Sequence, residues 1–303
     1  MRRHAGAPAP HNPNAASAAR LSRRVVAPFF LTLASALAAA VSGPPARAQR
    51  ELTPLQHEVR VQSARLSSAE VEERRDAVER LGAMARPEGS RAAAAALGDS
   101  AAVVRATAAR AVLSLASGEA AALILPLLRD RDEFVRREAA YALGVARSPL
   151  GVQPLAAAVQ TDKQPSVRGA AAVALGRLGD AGAVPALAGA LTRRLRASGF
   201  FNRLLRRKVE EDEFVRRAAA VSLGQIGSRE AVPVLVEALS DARAPGDVRR
   251  EAARALGLIG DPAAVPALRS VLTDADPYLS RIAFESLRRL EPSAAASPAG
   301  GEL

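Results

Sequence analysis

One motif recurs along this chain at nearly constant spacing, and that period limits the fold more than any other feature. VRATAARAVLSLASG begins at Val104, VRREAAYALGVARS at Val135, VRGAAAVALGRLGD at Val167, VRRAAAVSLGQIGS at Val215 and VRREAARALGLIGD at Val248. The copies start 31, 32, 48 and 33 residues apart. Weaker copies, ERRDAVERLGAM from Glu73 and LSRIAFESLRRL from Leu279, extend the series by 31 residues at each end. A period of this length marks stacked supersecondary units, each too small to bury its apolar face alone. The count is about six units and a terminal half-unit.

Each unit reads as two short helices. In the first, Val135, Ala139, Ala142 and Leu143 fall on one helical face. Asp132, Asp212 and Asp276, each three residues before the Val or Leu anchor, are placed as N-caps. The Leu-Gly pairs, including those of LGRLGD and LIGD, are read as turns that stop the first helix. Pro154, Pro185, Pro233 and Pro266 sit where the second helix opens, a position at which a missing N–H costs nothing. In the first unit EGSRAAAAALGD stands where a Pro-led helix is expected, and in the next Pro126 falls late. Upstream, Thr53, Pro54 and Gln56 have the spacing of a capped helix start, so residues 49–69 are expected to form an N-terminal cap helix.

The pattern V-R-x-x-A-A-x-A-L-G-x-[LI]-G-D followed by A-V-P-x-L resembles the HEAT repeat in the short form of phycobilin-lyase-type repeats, over residues 70–290. The resemblance implies an all-α, right-handed α-solenoid of about six two-helix repeats plus a terminal half-repeat. It also implies that Arg105, Arg136, Arg168, Arg216 and Arg249, at the starts of the first helices, each pair with an Asp of the adjoining loop in a ladder along the stack, with phosphate contact as the alternative.

Two segments lie outside the repeats. Residues 1–24 hold Arg2, Arg3, Arg20, Arg23 and Arg24 without an acid. VVAPFFLTLASALAAAV follows at 25–41, and Ala46-Arg47-Ala48 offers a small-x-small cleavage site. That order predicts a signal peptide over 1–48 and an exported protein of the periplasm or cell envelope. Retention as an anchor, and a twin-arginine reading of Arg23-Arg24, stay open. PSAAASPAGGEL, over 292–303, is expected to be a disordered tail beginning at residue 291.

The sequence offers little to a catalyst. It has no cysteine and only three histidines, His4, His11 and His57, of which two fall within the signal segment. No metal-ligand spacing, phosphate loop or Ser-His-Asp set can be assembled. Paired acids such as Asp130 and Asp132 recur at unit junctions, where capping explains them better than acid–base chemistry. No catalytic residue, cofactor or metal is expected, and the chain reads as a non-enzymatic protein-binding scaffold. A lyase-type enzyme or accessory is the alternative. Nucleic-acid binding is a third and disfavoured reading, because the second helices carry small or apolar residues such as Ala157, Gly189 and Ser270, and the acid Glu237.

The longest interval points to the candidate site. It exceeds its neighbours by about 16 residues and marks an insertion over 193–211. Arg193, Arg194, Arg196, Arg203, Arg206, Arg207 and Lys208 give it seven basic residues and no acid before Glu210. Beyond residue 48 the chain has 36 basic residues against 31 acids, a balance of +5, so this block supplies more than the whole. Ser198-Gly199 is read as the stop of a lengthened second helix, with Phe200 to Val209 as another. On that helix Phe200, Phe201, Leu204, Leu205 and Val209 lie opposite Arg203, Arg206 and Arg207, with Lys208 misplaced. The expected partner-binding residues are Phe200, Phe201, Arg203, Leu204, Arg206, Arg207 and Lys208. Three readings stay open: packing on the solenoid, with the arginines solvated or paired to Glu210, Glu211 and Asp212; contact with an acidic protein partner; or contact with an anionic membrane surface. The oligomeric state is not legible.

Overall fold

The structure is a computed structural model, and it describes residues 52–192, 194–196 and 208–291. The segment read as a signal peptide, 1–48, and the tail after Glu291 lie outside the described residues.

Helix α1 (Pro54–Arg65) opens the described chain. Thr53 accepts a hydrogen bond from the Gln56 N–H while the Gln56 side chain accepts one from the Thr53 N–H, the reciprocal cap expected from the spacing. Helix pairs follow in stacked order: α2 (Val71–Ala83) with α3 (Pro87–Ala93), α4 (Ala102–Ala111) with α5 (Ser117–Ile124), and α6 (Glu133–Ala146) with α7 (Val152–Thr161). Next come α8 (Pro165–Leu178) with α9 (Val184–Thr192), α10 (Glu213–Ile226) with α11 (Val232–Ser240), and α12 (Gly246–Ile259) with α13 (Val265–Ser270). A last first-type helix, α14 (Pro277–Leu290), has no mate among the described residues. This is the all-α solenoid expected, with six pairs and a terminal half-unit.

The anchors Val104, Val135, Val167, Val215, Val248 and Leu279 are all fully buried. Leucines and alanines fill most of the rest of the core, which forms one large cluster from α4 to α14 and a smaller one joining α2, α3 and α4. Burying each such leucine contributes about 1.5–3 kcal/mol. Asp132, Asp212 and Asp276 cap their helices by accepting from the N–H of Phe134, Phe214 and Tyr278.

Two readings of local sequence need correction. The first glycine of each Leu-Gly pair is no turn residue: Gly144, Gly176, Gly224 and Gly257 lie inside the first helices. Each sits where the next first helix passes. A Cβ on Gly144 would lie 2.8 Å from the Ala174 Cα, and one on Gly224 2.9 Å from the Ala255 Cα. The left-handed caps come three residues later, at Gly179, Gly227 and Gly260, with Arg147 in the same conformation. In the first unit, the second helix does open on a proline, Pro87, within a segment too short to show a period. In both early units the second helix finishes as 3-10 turns, Ala94–Gly98 and Leu125–Arg129, the latter containing Pro126.

At the insertion the lengthened second helix expected is not formed, and residues 197–207 lie outside the described residues. Helix α9 stops at Thr192 rather than at Ser198-Gly199, and the chain enters β1 (Arg194–Arg196). It returns as β2 (Lys208–Glu210), antiparallel to β1, with Arg194 opposite Glu210, Leu195 opposite Val209 and Arg196 opposite Lys208. Lys208 and Val209 therefore belong to a strand, which corrects the end of the helix read over 200–209; its residues 200–207 lie outside the described residues. Both ends of the insertion must meet at one unit junction, and antiparallel pairing closes them there while satisfying their backbone groups.

Candidate functional site

The geometry around the insertion begins with the arginines of the first helices. Arg74 places Nε and Nη2 on the two carboxylate oxygens of Asp99 at 2.7 and 2.9 Å, while Nη1 donates to the carbonyls of Ser68 and Ala69. Arg105 repeats this with Asp130, at 2.7 and 2.8 Å, and with the carbonyls of Asp99 and Ser100. Arg136 does so with Asp162, at 2.7 and 3.1 Å, and with the carbonyls of Asp130 and Arg131. Each fork satisfies a buried cation and ties a first helix to the loop after its own second helix. The acids also accept backbone N–H groups two residues on, from Ala101, Asp132 and Gln164.

These contacts keep the carboxylates charged. Hydrogen bonds from Arg74 and Arg105 hold Asp99 and Asp130 below the ordinary carboxylate range, against the opposing effect of burial. At Asp162 burial is the largest influence and works the other way. The Arg136 bond and the Gln164 N–H outweigh it, so this pKa is lowered too. Asp274, bound by Arg249 at 2.7 Å, is lowered chiefly by that bond.

The ladder changes partners at the insertion. Arg74, Arg105 and Arg249 find their acid 25 residues later, and Arg136 finds it 26 later. For Arg168 that place is taken by Arg193 or Arg194. Arg168 keeps its carbonyl contacts to Asp162 and Lys163, but its acid is Glu211, across the whole insertion. The pair is well buried, with side-chain exposures of 5% for Arg168 and 0% for Glu211. Arg216 donates to the Leu191 carbonyl and to Glu210. Asp241, which lies 25 residues beyond Arg216, lines the same small cavity of about 60 Å³ with Glu210 and Glu237. Glu210 and Glu211 thus serve the scaffold's arginines, and Asp212 caps α10.

The seven named binding residues stand as follows. Phe200, Phe201, Arg203, Leu204, Arg206 and Arg207 lie outside the described residues, and Lys208 lies in β2 opposite Arg196. Sequence reasoning missed the anchoring acids, although a signal was present: every other ladder arginine has an acid at the matching downstream position, and Arg168 has none.

Two open grooves lie on the described surface. One, of about 540 Å³, lies between α5 and α7 and includes Pro126, Leu128, Arg129, Pro154 and Ala157. The other, of about 470 Å³, is bordered by Arg137, Tyr141, Pro165, Asp212 and Phe214. The Phe214 ring occupies the space above Gly169 that any larger residue would fill. Among the described residues no group of three or more His, Cys, Asp or Glu is placed to hold a metal ion. Nor, among them, is any helix long and apolar enough to cross a membrane.

Comparison with known proteins agrees with this geometry. A profile of HEAT repeats matches residues 121–198 and 242–299, and one of the PBS lyase HEAT-like repeat matches 215–241. Residues 121–198 and 242–299 are thus HEAT repeats. The crystal structure of YibA from E. coli superposes with a TM-score of 0.55 at 20% identity, covering 78% of this chain and 82% of that one. An engineered protein is similar at 24% identity and a TM-score of 0.49, over 77% and 68% of the two chains. The complex of CpcE and CpcF of phycocyanin lyase from Nostoc sp. PCC7120 is similar at 23% identity and a TM-score of 0.43, over 82% and 97%. No curated protein sequence matches. The arginine–aspartate ladder implied by the motif is present at Arg105, Arg136 and Arg249, while at Arg168 and Arg216 glutamates of the insertion, Glu211 and Glu210, take the place of the aspartate.

Proposed function

We propose that this HEAT-repeat protein is a non-enzymatic scaffold of the cell envelope, exported by its N-terminal segment, that binds an acidic protein partner through the 193–211 insertion. One observation carries the reading. Glu210 and Glu211 are engaged by Arg216 and Arg168, so the acids nearest the seven basic residues of the insertion are committed to the scaffold. The insertion is thereby fastened at its base, and from Arg193 to Lys208 its sequence holds seven basic residues and no acid. Extended repeat surfaces favour protein ligands, and complementary charge raises association rates and selectivity.

The test is crosslinking in envelope extract with the protein and with the variant Arg203→Gln/Arg206→Gln/Arg207→Gln. The expected result is an acidic protein whose crosslinks map to 193–209 and are lost in the variant. Crosslinks that map elsewhere, or that survive the triple change, would overturn the assignment. Retention on anionic vesicles with no protein captured would replace the partner with a membrane surface. Intact residues 1–48 on protein recovered from the cytosol would overturn export. A lyase-type role is the second reading, favoured by the PBS lyase HEAT-like match at 215–241. Bound chromophore or turnover by the purified protein would establish it instead.

A further inference from the structure

Arg216 and Arg249 hold their helices alike up to one contact. The Arg249 Nε donates to the Leu239 carbonyl at 3.0 Å, and its Nη2 donates to Asp274 at 2.7 Å. The Arg216 Nε donates to the Leu191 carbonyl, also at 3.0 Å, and Leu191 is the penultimate residue of α9 as Leu239 is of α11. The second contact differs. Arg216 turns its Nη1 to Glu210 of β2, and it makes no hydrogen bond or ion pair with Asp241. Yet Asp241 is built as a ladder acid. It lies 25 residues beyond Arg216, as Asp274 lies beyond Arg249, and its carboxylate accepts from the Arg243 N–H at 3.0 Å. The same bond, from the N–H two residues on, fixes Asp99, Asp130, Asp162 and Asp274 for their arginines. Arg216, Glu210 and Asp241 border one cavity of about 60 Å³, with Glu237 of α11 at its exposed side.

We infer that Arg216 is a two-position rung, which passes from Glu210 to Asp241 when β2 is drawn off the scaffold and returns when β2 docks. Its Nε stays on the Leu191 carbonyl throughout, so only the Nη groups change partner. The rung of Arg249 shows the second position one unit further along the stack. Leaving an arginine of 6% side-chain exposure without an acid is strongly unfavourable, and Asp241 removes that obstacle to release. Glu210, 39% exposed, loses little on returning to water. The two arrangements are therefore close in free energy, which is the condition for a switch. Arg168 has no such alternative, since Arg193 and Arg194 stand where its second acid belongs. Glu211 is thus the fixed anchor of the insertion and Glu210 the exchangeable one, whatever the insertion binds.

The crystal structure of Glu210→Ala tests the exchange directly. It should show an Arg216 Nη within about 3.2 Å of an Asp241 oxygen, with Nε still on the Leu191 carbonyl. Arg216 left with no contact to Asp241 in that variant would overturn the proposal. Urea unfolding supplies a second measurement. Glu210→Ala and Asp241→Asn should each lower the folding equilibrium constant less than about fivefold, because one acid stands in for the other. Asparagine still accepts the Arg243 N–H, so the turn at 241 is kept. The double variant should lower the constant at least roughly tenfold beyond the product of the two single effects. Additive effects would overturn the exchange. Coupling of Glu210→Ala to Glu237→Gln, with none to Asp241→Asn, would give the second position to Glu237 and remove Asp241 from it. If the double variant does not fold, the structure of Glu210→Ala decides alone.

Discussion

A single added methyl group should have opposite effects at two kinds of glycine. At Gly224 it would meet the Ala255 backbone at 2.9 Å, and two first helices would have to separate. Gly224→Ala should therefore destabilise by about 1–2 kcal/mol, overpacking outweighing the gain in helix propensity. Gly189, in α9, has nothing within 4 Å of the added carbon. Gly189→Ala should stabilise by roughly 0.5–1 kcal/mol. Urea unfolding of both variants checks the pair of signs, and equal signs would contradict the packing role given to the first glycines. The ladder makes a larger prediction. Asp130→Ala leaves Arg105, 8% exposed, with its carbonyl contacts only, and should cost about 3 kcal/mol in the same measurement.

At the scale of elements, the insertion behaves as part of the stack and not as an appended loop. Glu211→Ala removes a fully buried acid from Arg168 and should cost about 3 kcal/mol. Glu210 is 39% exposed, and Glu210→Ala should cost at most about 1 kcal/mol, with the Leu191 carbonyl still holding Arg216. Equal losses, or none at Glu211, would mean that the hairpin base is not anchored as described. The helix read over 200–209 rested on an apolar face opposite arginines, a pattern that a paired strand can interrupt at either end. Leu195 opposite Val209 is a cross-strand pair that no helical wheel contains. Capping by Thr53, Asp132, Asp212 and Asp276 was legible because a cap depends on residues within three positions.

Over the whole molecule, the ladder ties stability to acid pH. Asp99, Asp130, Asp162 and Asp274 all have lowered pKa values in the folded chain. Their contribution is fully present above the unfolded value of about 3.9 and is lost as pH falls through their lower folded values. The thermal midpoint should therefore change little through this cause down to about pH 4 and fall steeply below it. A midpoint that stays constant to pH 2 would contradict the ladder's role. Neighbouring units share interfaces, so the loss should spread along the stack instead of remaining in one unit. The sequence by itself determined the period, the helix pairs, the caps and the place of the insertion, because each is written in residues a few positions apart. Only the tertiary structure decided which glycines are packing sites, which acids complete the ladder at Arg168 and Arg216, and that the two ends of the insertion pair as antiparallel strands. Arg168 and Glu211 are 43 positions apart, Gly144 and Gly224 meet residues 30 and 31 positions on, and the strand pairs span 12 to 16, so their meeting is set by how the units stack and not by local preference.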